Sequence, residues 1–128
     1  MEFINDMVGI LSNAGVGIEG NNLFGGDLPA TPDDAICLYE YAGKTPSRIA
    51  QHRHPGLQLL VRNVDYVMGR EKIEIARSAL FGIQNLQDKE NDFYLKIEAV
   101  QEPTCLGKDA NGRFVFVQNF IVTYFEEV

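Results

Sequence analysis

The chain has 128 residues and a formal net charge of −7, from 11 basic and 18 acidic residues. Hydrophobic residues make up 45% and charged residues 23% of the sequence, which excludes intrinsic disorder and a collagen-like repeat. This length predicts a single domain that spans residues 1–128. An acidic chain is a poor general binder of nucleic acid, because affinity for phosphate groups comes from clustered Lys and Arg.

Two cysteines, Cys37 and Cys105, lie far apart and are too few for a zinc site or a redox motif. We interpret them as reduced thiols, with a single disulfide as the alternative. No stretch approaches the ~20 apolar residues of a membrane span, and the first residues lack the positive charge of a secretory signal. We therefore expect no membrane partner, and a protein that stays where it is made unless it is assembled into a larger particle.

Apolar residues recur at three- and four-residue spacing from Phe3 to Ala14 and predict a first helix, with Gly15 as its C-cap. The glycine-rich run Gly15–Gly26 then indicates a flexible connector with room for one short extended piece. Its first six residues match G-x-G-x-x-G, but a dinucleotide site needs a strand before this motif and a helix after it. Neither is indicated, so we predict no bound cofactor.

Two strands are predicted next, at Ala35–Tyr41 and Leu57–Arg62, and the partly continuous apolar run of the second is typical of a sheet interior. Asp65 is the predicted N-cap of a long helix that reaches about Asn85. The predicted apolar face of this helix consists of Met68, Ile75, Ala76, Ala79, Leu80, Ile83 and Leu86.

The segment Phe93–Val100 alternates apolar and mixed residues and predicts a third strand. Asp109–Gly112 predicts a hairpin turn, because Asn-Gly tolerates positive φ. The last strand, Arg113–Phe125, is longer than usual, so we expect a bulge or bend at Gln118-Asn119. The order α-β-β-α-β-β predicts an α+β fold: a mostly antiparallel or mixed sheet of about four strands with two helices on one face.

Between Tyr41 and Val64 the sequence has four basic residues and no acidic one. This segment is either a solvated loop or a docking surface for an acidic partner, including another copy of the chain. His52 and His54 would share one face of a strand, but no third ligand lies at a useful spacing, so we predict no metal site. The predicted contact residues are Lys44, Arg48, His52, Arg53 and His54, with Ile18, Leu23 and Phe24 from the glycine-rich run.

The sequence contains no G-x-S-x-G, H-E-x-x-H or P-loop lysine, and neither cysteine has sequence support as a nucleophile. We therefore predict that the protein is not an enzyme. Two classes remain open: a structural assembly protein, and a small-ligand or regulatory binding domain in which the glycine-rich run forms the lip of a pocket.

Five features together resemble a phage family: Ala35–Gly43, His54–Arg62, the helix from Tyr66, Leu106–Arg113 and the pair Asn119-Phe120. They are similar to the minor capsid proteins of long-tailed bacteriophages, which include tail terminator (tail completion) proteins of the neck. The resemblance implies an α+β subunit, made in the host cytoplasm and located in the virion neck or tail. It implies a homo-oligomeric ring, commonly of six, that caps the tail tube and meets the head-side connector.

The acidic composition fits this implication. DNA passes through such a ring, and a negative lumen would repel its phosphates and let the duplex slide without specific binding. The partners implied are therefore further copies of the chain, the tail tube protein and the connector protein. No catalytic residue comes with the family.

Overall fold

The computed structural model describes residues 3–45, 52–81, 83–87 and 93–125. Within these residues the chain forms two helices, α1 (Phe3–Asn13) and α2 (Tyr66–Phe81), and eight strands. The strands are β1 (Leu23–Gly25), β2 (Ala35–Tyr41), β3 (His52–Arg53), β4 (Gly56–Asn63), β5 (Gln84–Gln87), β6 (Phe93–Ala99), β7 (Thr104–Lys108) and β8 (Phe114–Phe125). No helix in these ranges is long and apolar enough to cross a membrane.

The sheet is built around β8, which has two partners along each of its edges. Along one edge β4 pairs with residues 114–121 and β3 with residues 124–125. Along the other edge β7 pairs with residues 114–117 and β6 with residues 120–125. Beyond them, β2 and then β1 continue from β4, and β5 continues from β6. The β1–β2 pair is parallel and the others are antiparallel, so the predicted α+β fold with a mixed sheet is confirmed.

Side chains alternate across the strands, so one face of the sheet points toward the two helices. On β4 this face carries Leu57 and Leu59, and on β8 it carries Phe116 and Phe120, all without solvent exposure. The helices close the core over this face with Met7, Leu11, Ile73, Ala76 and Leu80. Burial of each such large side chain contributes about 1.5–3 kcal/mol, so this layer is the main source of stability.

The strand count of about four is too low, and the predicted extent of α2 is wrong. The helix ends at Phe81 rather than near Asn85, and residues 84–87 form β5 against β6. Gly82 follows the helix in the sequence, and a glycine lowers helix propensity by about 1 kcal/mol. The apolar spacing at Ile83 and Leu86 resembled a further turn of helix, whereas the Ile83 N–H bonds to the Leu80 carbonyl at the helix end and Leu86 pairs with Tyr94 on β6.

The predicted bulge at Gln118-Asn119 is also wrong. β8 pairs with β4 without a register shift from Phe114 to Ile121. The irregular positions lie instead on the partner strands β6 and β7. Gln118 stays in register in the buried interior because its side-chain amide donates a hydrogen bond to the backbone oxygen of Gln101.

The face that α2 turns to the core differs from the prediction. The buried residues are Gly69, Ile73, Ala76 and Leu80, whereas Met68 is 59% and Ile75 is 54% exposed. Gly69 explains the difference, because a β-carbon at this position would overlap the ring of Phe116. The absence of a side chain lets the helix approach the sheet along the line through Gly69 and Ile73.

Several local expectations are confirmed. Asp65 caps α2, since its Oδ1 accepts the backbone N–H of Met68 at 3.0 Å. Gly15 follows α1 with a φ of 76°, the left-handed conformation of a helix C-cap. β2 has its predicted bounds, β4 lies in the interior, and Gly112, with a φ of 76°, completes the turn between β7 and β8.

Candidate functional site

The sheet face that carries no helix is closed at one end by the loop of residues 28–34. Two buried arginines hold this loop, Arg62 on β4 and Arg113 immediately before β8. Arg62 Nε donates to the backbone oxygen of Asp33 at 3.2 Å, and Arg113 Nη1 donates to the backbone oxygen of Ala30 at 2.6 Å. Because hydrogen bonds from charged donors are strong, they fix the loop against the sheet.

Asp109 anchors the second of these arginines. Its Oδ2 accepts the Nε–H of Arg113 at 2.8 Å, and its Oδ1 accepts the backbone N–H of Arg113 at 3.0 Å. The backbone hydrogen bond is the largest of the effects that hold the pKa of Asp109 below its ordinary value. Burial lowers the pKa of Arg62, and the positive charge of Arg113 lowers it further.

At the other end of the helix-free face, the described residues leave a depression in the surface. Two adjoining cavities of about 360 Å³ and 410 Å³ share Lys44, Glu98 and Ile121 and together form one groove. One end of the groove is apolar and the other is basic. We call it the basic groove, and its defining side chains, from the apolar to the basic end, are Tyr41, Val100, Ile121, Lys44, His54 and His52.

Two glycines bring the strands together beneath this groove. A β-carbon at Gly43 would overlap the backbone oxygen of His54, which accepts the Lys44 N–H at 2.9 Å. The Tyr41 ring covers Gly56 across the β2–β4 pair, where a β-carbon would lie 2.7 Å from ring carbons. Because neither glycine has a side chain, the neighbouring backbone and ring atoms can pack closely beneath the groove.

The histidines are held by contacts with β8. His54 Nδ1 lies 3.1 Å from Thr123 Oγ1, within hydrogen-bond distance. The ring of His52 packs edge-on against Phe125 with ring centroids 5.9 Å apart. These contacts orient both imidazoles, so the groove presents two ring systems of defined position beside the Lys44 ammonium.

The rim of the groove carries one ion pair and one uncompensated cation. Lys96 Nζ lies 3.2 Å from Glu98 Oε1, and both side chains are about half exposed. The ammonium of Lys44 makes no ion pair with any residue that the structure describes. An ammonium beside two imidazoles is suited to bind a carboxylate by charge-assisted hydrogen bonds.

The family model of the bacteriophage tail terminator protein matches residues 10–125. The chain belongs to the bacteriophage tail terminator family. This makes it a structural protein of the virion tail or neck. No curated protein matches the sequence.

A solved structure supports the fold of this tail terminator. A chain described as "Virion of native gene transfer agent (GTA) particle" superposes with a TM-score of 0.64 at 8% sequence identity. The match covers 94% of the tail terminator and 84% of that chain, so the fold is shared over nearly the whole length.

The structure brings together three of the five basic contact residues predicted for the tail terminator. Lys44, His52 and His54 line the basic groove. Arg53 does not, because alternation on β3 directs it to the opposite side, where its guanidinium lies 5.8 Å from the Tyr124 ring centroid. Arg48 lies outside the described residues.

Sequence reasoning missed Lys96 and Glu98 as groove residues. They lie on β6, more than 30 positions after the basic segment, and reach the groove because β6 pairs with β8 at Thr123 and Ile121. In the sequence, Lys96 and Glu98 lie on the polar face of the alternating strand. This pattern could indicate a groove only once the sheet register showed which residues lie beside that face.

The three apolar contact residues predicted in the glycine-rich run have different positions. Ile18 is 64% exposed and Phe24 is half-buried, so both lie at the surface. Leu23 was predicted as a contact residue, but it is fully buried and packs in the core. It is therefore not available for contact in this conformation.

The glycine-rich run contains the short extended piece for which the sequence left room, β1, preceded by a hydrogen-bonded turn. The backbone oxygen of Ile18 accepts the N–H groups of Asn21, Asn22 and Leu23, and Asn22 Oδ1 accepts the Ile18 N–H at 2.7 Å. α1 precedes the run and β1 ends it, which is not the strand–turn–helix context of a dinucleotide site.

Both cysteines of the tail terminator are free thiols. Cys37 is fully buried on β2, whereas Cys105 on β7 is partly exposed. Burial raises the pKa of Cys37, and the same effect raises the pKa of the neighbouring Tyr39 to about 12. A thiol with a raised pKa is a poor nucleophile at neutral pH, so the fold gives Cys37 a packing role.

The outward surface of α2 is unusually apolar. We call it the outer stripe, and it consists of Val64, Val67, Met68, Glu71, Ile75 and Ser78. Val67 is 62% exposed, and Met68 and Ile75 are also more than half exposed. The outward surface of a helix is normally polar, so this stripe is a second candidate for contact with another protein.

Proposed function

We propose that this tail terminator forms a homo-oligomeric ring, commonly of six copies, that caps the finished tail tube and joins it to the head-side connector. The observation that carries the proposal is the family match over residues 10–125. The basic groove supports self-association, because a local cluster of cations on a chain with a net charge of −7 favours contact with an acidic copy.

The charge of the chain also suits a passage for DNA. Because 18 acidic residues outnumber 11 basic ones, most of the surface repels phosphate groups. A ring with this charge lets a duplex pass without binding it. The proposed role is structural and non-enzymatic, with no cofactor, and the burial of Cys37 removes one candidate nucleophile.

The alternative of a small-ligand binding domain placed the glycine-rich run at the lip of a pocket. Neither of the two cavities described above is lined by any residue of that run. These two cavities therefore do not support the alternative, which remains a second hypothesis.

Two measurements test the proposed function. Size-exclusion chromatography with light scattering across a concentration series should show a closed oligomer, and negative-stain electron microscopy should show rings. Purified tail tubes mixed with the protein should carry added density at one end. A protein that forms no higher oligomer and leaves the tube ends bare would contradict the proposal.

A further inference from the structure

Two surfaces of the chain have complementary chemistry. The basic groove combines the uncompensated ammonium of Lys44 with apolar side chains such as Val100, which is 55% exposed. The outer stripe combines the carboxylate of Glu71 with the exposed apolar side chains of Met68 and Ile75. Each surface therefore offers one charge beside an apolar area, and the two charges have opposite sign.

Some carboxylates among the described residues form ion pairs within the subunit, and Glu71 does not. Glu74 pairs with Arg70, Glu98 pairs with Lys96, and Asp109 pairs with Arg113. Within the described ranges Glu71 has no ion pair and lies in the outward line of α2. It is a charged group without a partner inside the subunit, as Lys44 is.

The two surfaces lie on opposite faces of the sheet. α2 packs on the face that carries Leu57 and Phe116, whereas the groove contains Ile121, which alternation directs to the other face. A subunit therefore cannot bring its own groove and its own stripe together. Contact between unlike surfaces of identical copies is head-to-tail, and such contacts generate rings when the rotation closes.

The sheet edges that are described in full are poorly suited to pairing between copies. β1 has three residues, and its Leu23 N–H and C=O already bond to Ile18 and Gly20. β7 has a register shift, with Gly107 at a φ of 106°, and ends at Lys108. Short, bulged and charged edges oppose strand addition, which favours contact through faces.

We propose that the basic groove of one copy binds the outer stripe of α2 of a second copy, with Glu71 placed against Lys44. The apolar side chains of the stripe pack on the apolar end of the groove, and the carboxylate lies at its basic end. This inference rests on the proposed function, since it names the contact by which copies of the tail terminator associate. The occupant is a second copy because the same chain supplies both the acid and the exposed apolar residues.

Charge exchange between Lys44 and Glu71 tests the contact. Lys44→Glu alone and Glu71→Lys alone should each raise the concentration of half-association by at least about fivefold, measured by sedimentation with the full chain. An equimolar mixture of the two single variants should associate almost as well as wild type. In the mixture the groove of one variant and the stripe of the other again carry charges of opposite sign, at both kinds of contact.

Lys108→Glu is the matched control, because it makes the same charge change beside Phe114, at the far end of β8 from the groove. It should leave association within about twofold of wild type. Recovery in the mixture also guards against misfolding, since two misfolded variants do not restore one another. Circular dichroism melts of each variant check the fold directly.

Three results would overturn the contact: single variants that associate like wild type, a mixture no better than its components, or a chain that stays monomeric at every concentration. The first two would leave rings intact and so would leave the proposed function standing. The third would overturn the ring as well.

Discussion

At the scale of single residues, the two buried arginines determine how the loop of residues 28–34 lies on the sheet. Arg62 and Arg113 each donate to backbone oxygens of this loop. A buried cation without its partners is far more costly than the same volume of apolar side chain. The loop and the arginines therefore depend on each other, although the loop contains no regular secondary structure.

Replacement of Arg113 by Met should lower the free energy of unfolding by about 2–3 kcal/mol, because charged hydrogen bonds to Ala30 and Asp109 are lost. Chemical denaturation at pH 7 measures the change. Lys108→Met serves as a surface control and should stay within about 0.5 kcal/mol of wild type. A similar loss in both variants would contradict a specific role for Arg113.

Asp109 makes stability depend on pH in the acid range. Its pKa is lower in the folded state, so its contribution is complete above the ordinary value of 3.8 and is lost as the pH falls through the folded pKa. Urea midpoints measured from about pH 6 to about pH 2.5 should therefore fall less steeply for Asp109→Asn than for wild type. Parallel curves would show that the carboxylate charge has no part in stability.

The two cysteines should differ in reactivity. Cys105 is partly exposed and should react with a thiol reagent in the native protein, whereas Cys37 should react only after unfolding. Mass spectrometry after brief labelling counts the modified sites. Modification of Cys37 at native-state rates would mean that β2 opens readily, which its position between β1 and β4 does not predict.

At the scale of elements, the rotation of α2 about its axis decides which apolar residues are core and which are surface. The apolar spacing placed Ile75 on the core face and left Ile73 out, whereas the structure buries Ile73 and exposes Ile75. The close approach of Gly69 to Phe116 explains this difference, since it fixes the side of the helix that meets the sheet. The outer stripe exists because of this rotation.

Paired substitutions test the rotation. Ile73→Ala should cost about 2–4 kcal/mol of unfolding free energy, whereas Ile75→Ala should change it by less than about 0.5 kcal/mol. Gly69→Ala should destabilise the fold even though alanine is the better helix former, because the added methyl group overlaps Phe116. Equal losses at Ile73 and Ile75 in denaturant titrations would contradict the assigned face.

The long elements were predictable from the sequence because their signals are local. Runs of apolar and strand-forming residues predicted β2 and β4, alternation predicted β6, and an Asn-Gly turn predicted the hairpin before β8. The two-residue β3 and three-residue β1 were not resolved as sheet partners, because such short strands exist only through pairing with a distant neighbour. In the same way, the groove residues that lie close together in sequence were predicted. Lys96 could be assigned to the groove only from the register of the sheet, which pairs it with Thr123.

At the scale of the whole molecule, negative charge is in excess, but the charge is distributed unevenly over the surface. The net charge of −7 repels other copies at long range, whereas the basic groove attracts acidic groups at short range. The proposed self-association would therefore require specific contact before attraction exceeds repulsion. This favours one defined geometry over indiscriminate aggregation.

Salt should separate these two effects. Lys44→Glu and Lys108→Glu change the net charge equally. Dividing the association constant of the first variant by that of the second therefore cancels the effect of net charge. This ratio should be well below one at 0.1 M salt and approach one at 1 M, where the screening length falls from about 10 to about 3 Å. A ratio that does not change with salt, measured by sedimentation, would show that Lys44 acts by packing alone.

The central position of β8 has a consequence for synthesis of the subunit. β8 is the last described strand to leave the ribosome, yet it is the one that joins β4 and β3 to β6 and β7. Until residues 114–125 are made, the two halves of the sheet share no hydrogen bonds through a common strand, and the inner edges of β4 and β6 stay open. Open strand edges aggregate or are degraded. A translation product that stops before β8 should therefore fail to form the complete sheet and should aggregate or be degraded.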